Sequence, residues 1–196
     1  MAITRTNKGM AQDKVSSASW TALSSVAIAQ NTSVIVCIVY DDDGGLTSGI
    51  TWNGLALTKD MELAALGMRG EIWSRHNNTG ATGNVVVNSS PNMFAKALCA
   101  VEVGGTPQIG TLDKTKSASG ASTAPNSTAT VATVSADEYL QGFVGTEGPS
   151  GDTAGTWGSD TATAGQRLGT TGGGSASNVT ASEGYGIQTT TGARTS

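Results

Sequence analysis

The stretch Ile50–Thr58, Ile-Thr-Trp-Asn-Gly-Leu-Ala-Leu-Thr, restricts the fold more than any other part of the chain. Asn53-Gly54 is the pair that a two-residue type I′ turn favours, because both central positions need positive φ. Such a turn sets Trp52 opposite Leu55 and Ile50 opposite Leu57. Those four side chains then share one face of a hairpin, while Thr51 and Ala56 share the other. Turn chemistry and alternation agree, so a β-hairpin with one apolar face is expected here.

Further strands follow from the same reasoning. Thr32–Tyr40 (TSVIVCIVY) is a nearly unbroken β-branched run of strand length. A strand apolar on both faces needs cover on both. In a two-layer sandwich one face meets the opposite sheet, so a loop or a neighbouring subunit is expected on the other. Gly70–Arg75 and Asn84–Asn88 read as strands, the latter entered through a turn region at Gly80 and Gly83. In Met93–Val103 one face carries Met93, Ala95, Ala97, Cys99, Val101 and Val103. The other mixes Phe94, Leu98 and Ala100 with Lys96 and Glu102. Thr128–Ser135 and Glu138–Thr146 supply two more strands, joined by a turn at Ala136-Asp137. Asp60–Leu66 suits one short helical turn, capped by Asp60 and stopped by Gly67. Gly104–Pro125 reads as a long loop with strand character only at Ile109–Leu112. Beyond Gly145, short strands are expected at Gln166–Leu168, Asn178–Ala181 and Gly184–Thr190. Roughly eight or more closely spaced strands indicate an all-β antiparallel β-sandwich of the jelly-roll kind. It is expected as a single domain over residues 15–196, preceded by an extended polar N-terminal arm, residues 1–14.

Composition narrows the function classes. Charged residues are 13%, with a net charge of −4 and 27 glycines. The 11 Lys and Arg are scattered, which argues against nucleic acid as a partner, since neutralising phosphates needs clustered cations. No apolar run is long enough to span a membrane. The start, Met1–Lys14, is polar and lacks the apolar block of a secretory signal, so synthesis in a reducing cytoplasm is expected. Cys37 and Cys99 lie in apolar runs and read as buried free thiols.

Catalytic signals are thin, and no enzyme activity, catalytic residue or cofactor is expected. His76 is the one histidine and has no second ligand at metal spacing. Cys37 sits among Ile and Val, where a thiol is inert. Asp41, Asp42 and Asp43, before Gly44-Gly45, are the candidate metal ligands, for Ca²⁺. Consecutive side chains in extended backbone diverge, however, so a solvated turn is the plainer expectation. Glu71, Glu102, Glu138, Glu147, Asp152 and Asp160 show no spacing that would pair two of them across a cleft. Trp52 and Trp73 lie in strands and read as core. Trp157, in a Gly-rich stretch, is the candidate sugar-stacking residue.

The order of motifs carries a resemblance. Tyr-Asp-Asp-Asp-Gly-Gly (Tyr40–Gly45) precedes the Ile50–Thr58 hairpin; Glu-Ile-Trp (Glu71–Trp73) and Thr-Gly-Asn-Val-Val-Val (Thr82–Val87) follow. An Ala-rich strand then closes in Val-Glu-Val-Gly-Gly (Val101–Gly105). Over about residues 15–146 this resembles a group of β-sandwich virion proteins of tailed bacteriophages, within which the chain looks like a capsid decoration, or cement, protein. The resemblance implies binding to the outer surface of the head and stabilisation of the shell. It implies the major capsid protein and further copies of the chain, as a homotrimer, as partners. It also implies residence on the capsid surface after synthesis in the host cytoplasm. Similar chains end with a further apolar strand that this sequence lacks: either that end is missing here, or another chain supplies the closing strand. A tail- or fibre-associated carbohydrate-binding module, with Trp157 against the sugar, is the alternative.

Overall fold

The computed structural model describes residues 2–41, 45–105, 112–120, 127–134, 136, 138–147, 163–169 (backbone alone) and 179–193. The strands in order are β1 (Thr4–Asp13), β2 (Ser17–Gln30), β3 (Ser33–Asp41), β4 (Leu46–Trp52), β5 (Leu55–Ala56) and β6 (Thr58–Ala65). They continue with β7 (Met68–Arg75), β8 (Thr79–Met93), β9 (Lys96–Gly104), β10 (Glu138–Glu147), β11 (Thr163–Gly169) and β12 (Val179–Gln188). Every pairing is antiparallel. The central sheet has the order β1-β9-β3-β7-β6, the front sheet β2-β8-β4-β5, and the back sheet β10-β12-β11.

The front and central sheets form a β-sandwich. Val34, Val36, Ile38 and Tyr40 of β3 face inward and meet Ile50, Trp52, Val85 and Val87 of the front sheet. Each such side chain removed from water contributes roughly 1.5–3 kcal/mol. The hairpin forms as its sequence requires. Trp52 pairs with Leu55 and Thr51 with Ala56, Asn53 and Gly54 have φ of 50° and 74°, and Leu57 N donates to Ile50 O at 2.9 Å.

The cover over the second face of β3 is the back sheet, contributed by the same chain. Val39, Ala95 and Ala97 pack there against Val179 and Ala181, with Met68 and Phe143 at the margin. The molecule therefore has three β layers, and β3 and β9 are buried along almost their whole length.

Four expectations need correction. The arm expected over residues 1–14 is largely strand β1, laddered to β9 from Thr4↔Gly104 to Asp13↔Lys96. The polar sequence misled because an edge strand with solvent on one side alternates polar and half-buried positions without an apolar run. Asp60–Leu66 is strand, not helical turn. A segment so short does not nucleate a helix, and Leu66-Gly67, with φ of 56° and 80°, turns the chain so that Ala65 pairs with Met68. Thr128–Val134 lies in no strand; point bonds hold it instead, Thr133 N donating to Gly192 O at 3.1 Å. Met93–Val103 is two strands in different sheets, so Met93 packs in the sandwich while Ala95 and Ala97 face the back sheet.

Candidate functional site

Of the candidate metal ligands, Asp41 ends β3 as a buried residue, its N–H donating to Ala95 O at 3.0 Å. Asp42, Asp43 and Trp157 lie outside the described residues. Among the described residues no group of three or more His, Cys, Asp or Glu converges as a metal site. Trp52 is fully buried and its Nε1 donates to Val26 O at 3.0 Å. Cys37 and Cys99 stand opposite each other across β3 and β9, buried and unbridged. Burial pushes the Cys37 thiol well above its usual range, with Cys99 beside it adding to the effect, so it is a poor nucleophile.

The ionisable groups that enter the layers are tied to protein partners. Glu71, fully buried on the inner face of β7, accepts from Tyr40 Oη at 2.8 Å, Trp73 Nε1 at 2.6 Å and Lys59 Nζ at 2.8 Å. Burial, together with the Glu71 charge, raises the Tyr40 hydroxyl far above the usual phenol range, against bonds from Thr47 that lower it. Glu183, fully buried in the back sheet, pairs with Arg5 of β1 and accepts from Gln141 Nε2 at 2.9 Å. Arg5 also lies 4.7 Å over the Tyr185 ring, a favourable cation–π geometry. Lys96, fully buried at the start of β9, donates to Val15 O at 2.7 Å and Phe94 O at 3.2 Å and pairs with Asp13 at 3.2 Å. The charged positions of β9 thus point into the sandwich, where period-two reading alone gives no reason to put them.

His76 follows the end of β7 and is bonded on both ring nitrogens. Ser33 Oγ lies 2.8 Å from Nδ1 and Ser74 Oγ 3.0 Å from Nε2. Ser74 in turn bonds Asp60, whose carboxyl burial raises despite that bond and the His76 charge, which lower it. The contacts thus run from Ser33 through His76 and Ser74 to Asp60. The two serines are buried, so the chain links β3, β7 and β6 rather than opening a hydroxyl to a substrate. No sequence spacing announces it, because its members come from three strands paired only in the fold.

One end of the two-sheet body differs from the rest. The 14–16, 66–67 and 94–95 connections and the start of β4 meet there. A shallow cleft of about 340 Å³ opens between Lys14, Asp41, Phe94 and Ala95. Val15, Leu46, Leu66 and Phe94 are exposed at this end.

No known protein family, curated protein or solved structure matches the chain.

Proposed function

We propose that this chain is a bacteriophage virion structural protein, a capsid decoration protein that binds the outer surface of the head and stabilises the shell. The observation that carries the reading is where the polar chemistry goes. Glu71, Glu183, Lys96 and Glu102 are each consumed in bonds that fasten one strand or layer to another. At one end the sandwich also exposes Val15, Leu46, Leu66 and Phe94 beside a shallow cleft. A protein that works by adhesion needs a rigid body and a contact surface. The motif order Tyr40–Gly45, Ile50–Thr58, Glu71–Trp73 and Val101–Gly105 supports the phage assignment by resemblance.

The jelly-roll designation belongs to the same proposal. Its support is the strand order, β1-β9-β3-β7 facing β2-β8-β4-β5, with β6 appended at one edge. In this reading β1 is one of the eight body strands. The partners are the major capsid protein and further copies of the chain in closed symmetric association, a trimer.

The test is to mix purified protein with undecorated expanded heads and image them by electron cryomicroscopy. Added density on the outer shell at a regular lattice position is expected. Heads that stay bare under conditions where native virions carry the protein would overturn the reading.

A further inference from the structure

We propose that Cys37 and Cys99 are a redox pair, oxidised to a cross-strand disulfide that locks β3 to β9 and gated by the back sheet above it, whatever the function of the whole. The chain has two cysteines. They are 62 residues apart, yet the antiparallel ladder sets them directly opposite each other. Directly opposite residues share one face of a sheet, with Cα atoms about 4.5–5.5 Å apart and Cβ atoms at a similar spacing. A disulfide spans Cα atoms about 4.4–6.8 Å apart and Cβ atoms about 3.5–4.5 Å apart. Closing the bond therefore asks the Cβ atoms to approach by about 1 Å, with no change of register. The side chains already lean together: Cys99 Sγ lies 3.9 Å from Cys37 O and is within bonding reach of the Cys37 thiol.

The place of the pair decides what the bond does. β3 is the middle strand of the central sheet and β9 its neighbour. The segment between the two cysteines contains β4, β5, β6, β7 and β8. A staple at its base puts most of the front sheet and the β6–β7 hairpin on one closed loop. Closing a loop that long removes freedom from the unfolded chain, which stabilises the folded one.

The back sheet controls access. Both thiols lie on the face that carries Val39, Ala95 and Ala97, which pack against Val179 and Ala181. Glu183 and Tyr139 of the back sheet, and Asp60 of β6, are near enough for their charges to act on Cys37. Burial keeps the Cys37 thiol protonated and unreactive, so chemistry waits on the back sheet lifting. Once it lifts, Cys37 loses its proton to water, and its thiolate attacks one sulfur of a small-molecule disulfide, here oxidised glutathione. The reagent's S–S bond breaks and one glutathione thiolate leaves. Cys99, giving its proton to water, then attacks the Cys37 sulfur of the mixed disulfide. The Cys37–Cys99 bond forms and the second glutathione thiolate leaves. The cysteine pair gives up two electrons, and the reagent takes them as two thiols. Because the ladder holds Cys99 beside Cys37, the second step is intramolecular and outruns the first. The pair is a dithiol where glutathione is kept reduced and a staple in an oxidising medium.

The experiment incubates the full chain, reduced and then freed of reductant, with oxidised glutathione, alongside Cys99→Ala. Hydrogen exchange of the β12 amides runs in parallel and times the lifting of the back sheet. Wild type should lose both thiols, titrated in denaturant, no faster than those amides exchange and completely once they have exchanged. Its mass should fall by two hydrogens, and digestion should yield a peptide pair joined through Cys37 and Cys99. The thermal transition should rise by about 4–16 °C and return to its starting value with dithiothreitol. Cys99→Ala should show no such rise; should that variant fail to fold, the reversal by dithiothreitol carries the same test within wild type. Thiols that persist after full β12 exchange, a lasting adduct with glutathione, a bond between two chains, or a joined pair without a higher thermal transition would each overturn the lock. Oxidation faster than β12 exchange would overturn the gate.

Discussion

Replacing Arg5 by Met tests whether the N-terminal strand is part of the body. Arg5 sits on β1 and reaches Glu183 of the back sheet, which is fully buried. The substitution keeps a long side chain against Tyr185 but removes the cation, leaving between the layers a carboxylate that still accepts from Gln141 but has lost its counter-charge. Removing one partner of a buried pair costs about 3–5 kcal/mol, because the remaining charge stays desolvated. Domain stabilities are commonly about 5–15 kcal/mol, so the loss is a large share of the total. For a chain of this length each kcal/mol moves Tm by about 2–4 °C, which puts the expected drop at roughly 6–20 °C. The assay is urea unfolding followed by tryptophan fluorescence, with thermal melts by circular dichroism alongside. Combining Arg5→Met with Glu183→Leu should recover much of the loss, since an apolar pair of similar size removes the stranded charge. A loss below about 1 kcal/mol for Arg5→Met is the size expected of a solvent-exposed pair. That result would refute the placement and return residues 4–13 to the status of a loose arm. For the same reason, deleting residues 1–14 should lower the thermal transition substantially.

Other substitutions probe the remaining joints. Lys96→Met should cost about 3–5 kcal/mol in urea unfolding, because the carbonyls of Val15 and Phe94 lose their donor and Asp13 its partner. Gly83→Ala should destabilise by about 1–3 kcal/mol, since its Cβ would fall 2.3 Å from Cβ of Asn53 on the hairpin turn. Cys37 and Cys99 should resist Ellman's reagent in the native state and react only at the rate of unfolding, because the back sheet lies over their face; fast native labelling would show that layer detaching. Acid should weaken the fold through Asp13 and Glu102. Burial pushes both carboxyls up, but it is outweighed by Val15 N–H and Lys96 at Asp13, and by Lys8, Ala29 N–H and Thr32 at Glu102. Both folded pKa values therefore lie below the unfolded ones, so the stabilisation is complete above about pH 5 and fades as pH falls through the folded values, below about pH 4. Urea midpoints that stay flat from pH 6 to pH 3 would contradict this.

Local chemistry that closes on itself was legible in the sequence. The Asn53-Gly54 hairpin needs only its own neighbours, and its pairing follows from turn length and alternation. The Thr32–Tyr40 run announces a strand covered on both faces, and β3 is that strand. Its second cover was not legible as a sheet, because β12 carries its burial on Val179, Ala181, Ser182 and Glu183 rather than on bulky apolar residues. The polar β1 escaped for a related reason: what fixes it is a ladder to β9 and the Arg5–Glu183 pair, 178 residues apart in the chain. The Ser33–His76–Ser74–Asp60 chain and the Lys96 cradle likewise join residues that only pairing brings together. The exposed Val15, Leu46 and Phe94 at one end of the sandwich were not legible either. Single apolar residues beside turns carry no period that a sequence reading can weigh.

The low charge of this chain and its buried ions are two sides of one design problem. The face between the central and back sheets is built from small side chains: Ala95, Ala97 and Ala181, with Gly145 so close to Val39 that a Cβ there would lie 2.5 Å from its Cγ2. Small residues let the layers approach closely, but a face of alanines and glycines gives little resistance to one sheet sliding over the other. A buried ion pair resists sliding strongly, because any other alignment leaves a charge without its partner in a desolvated layer. Arg5–Glu183 does this between the central and back sheets, and Glu71, gripped by Tyr40, Trp73 and Lys59, fixes neighbouring strands of the central sheet at its inner face. If that account holds, the Arg5→Met, Glu183→Leu double variant should regain stability yet lose uniqueness of layer alignment, visible as broadened back-sheet resonances by NMR. Sharp, wild-type-like spectra from it would mean that packing alone sets the alignment.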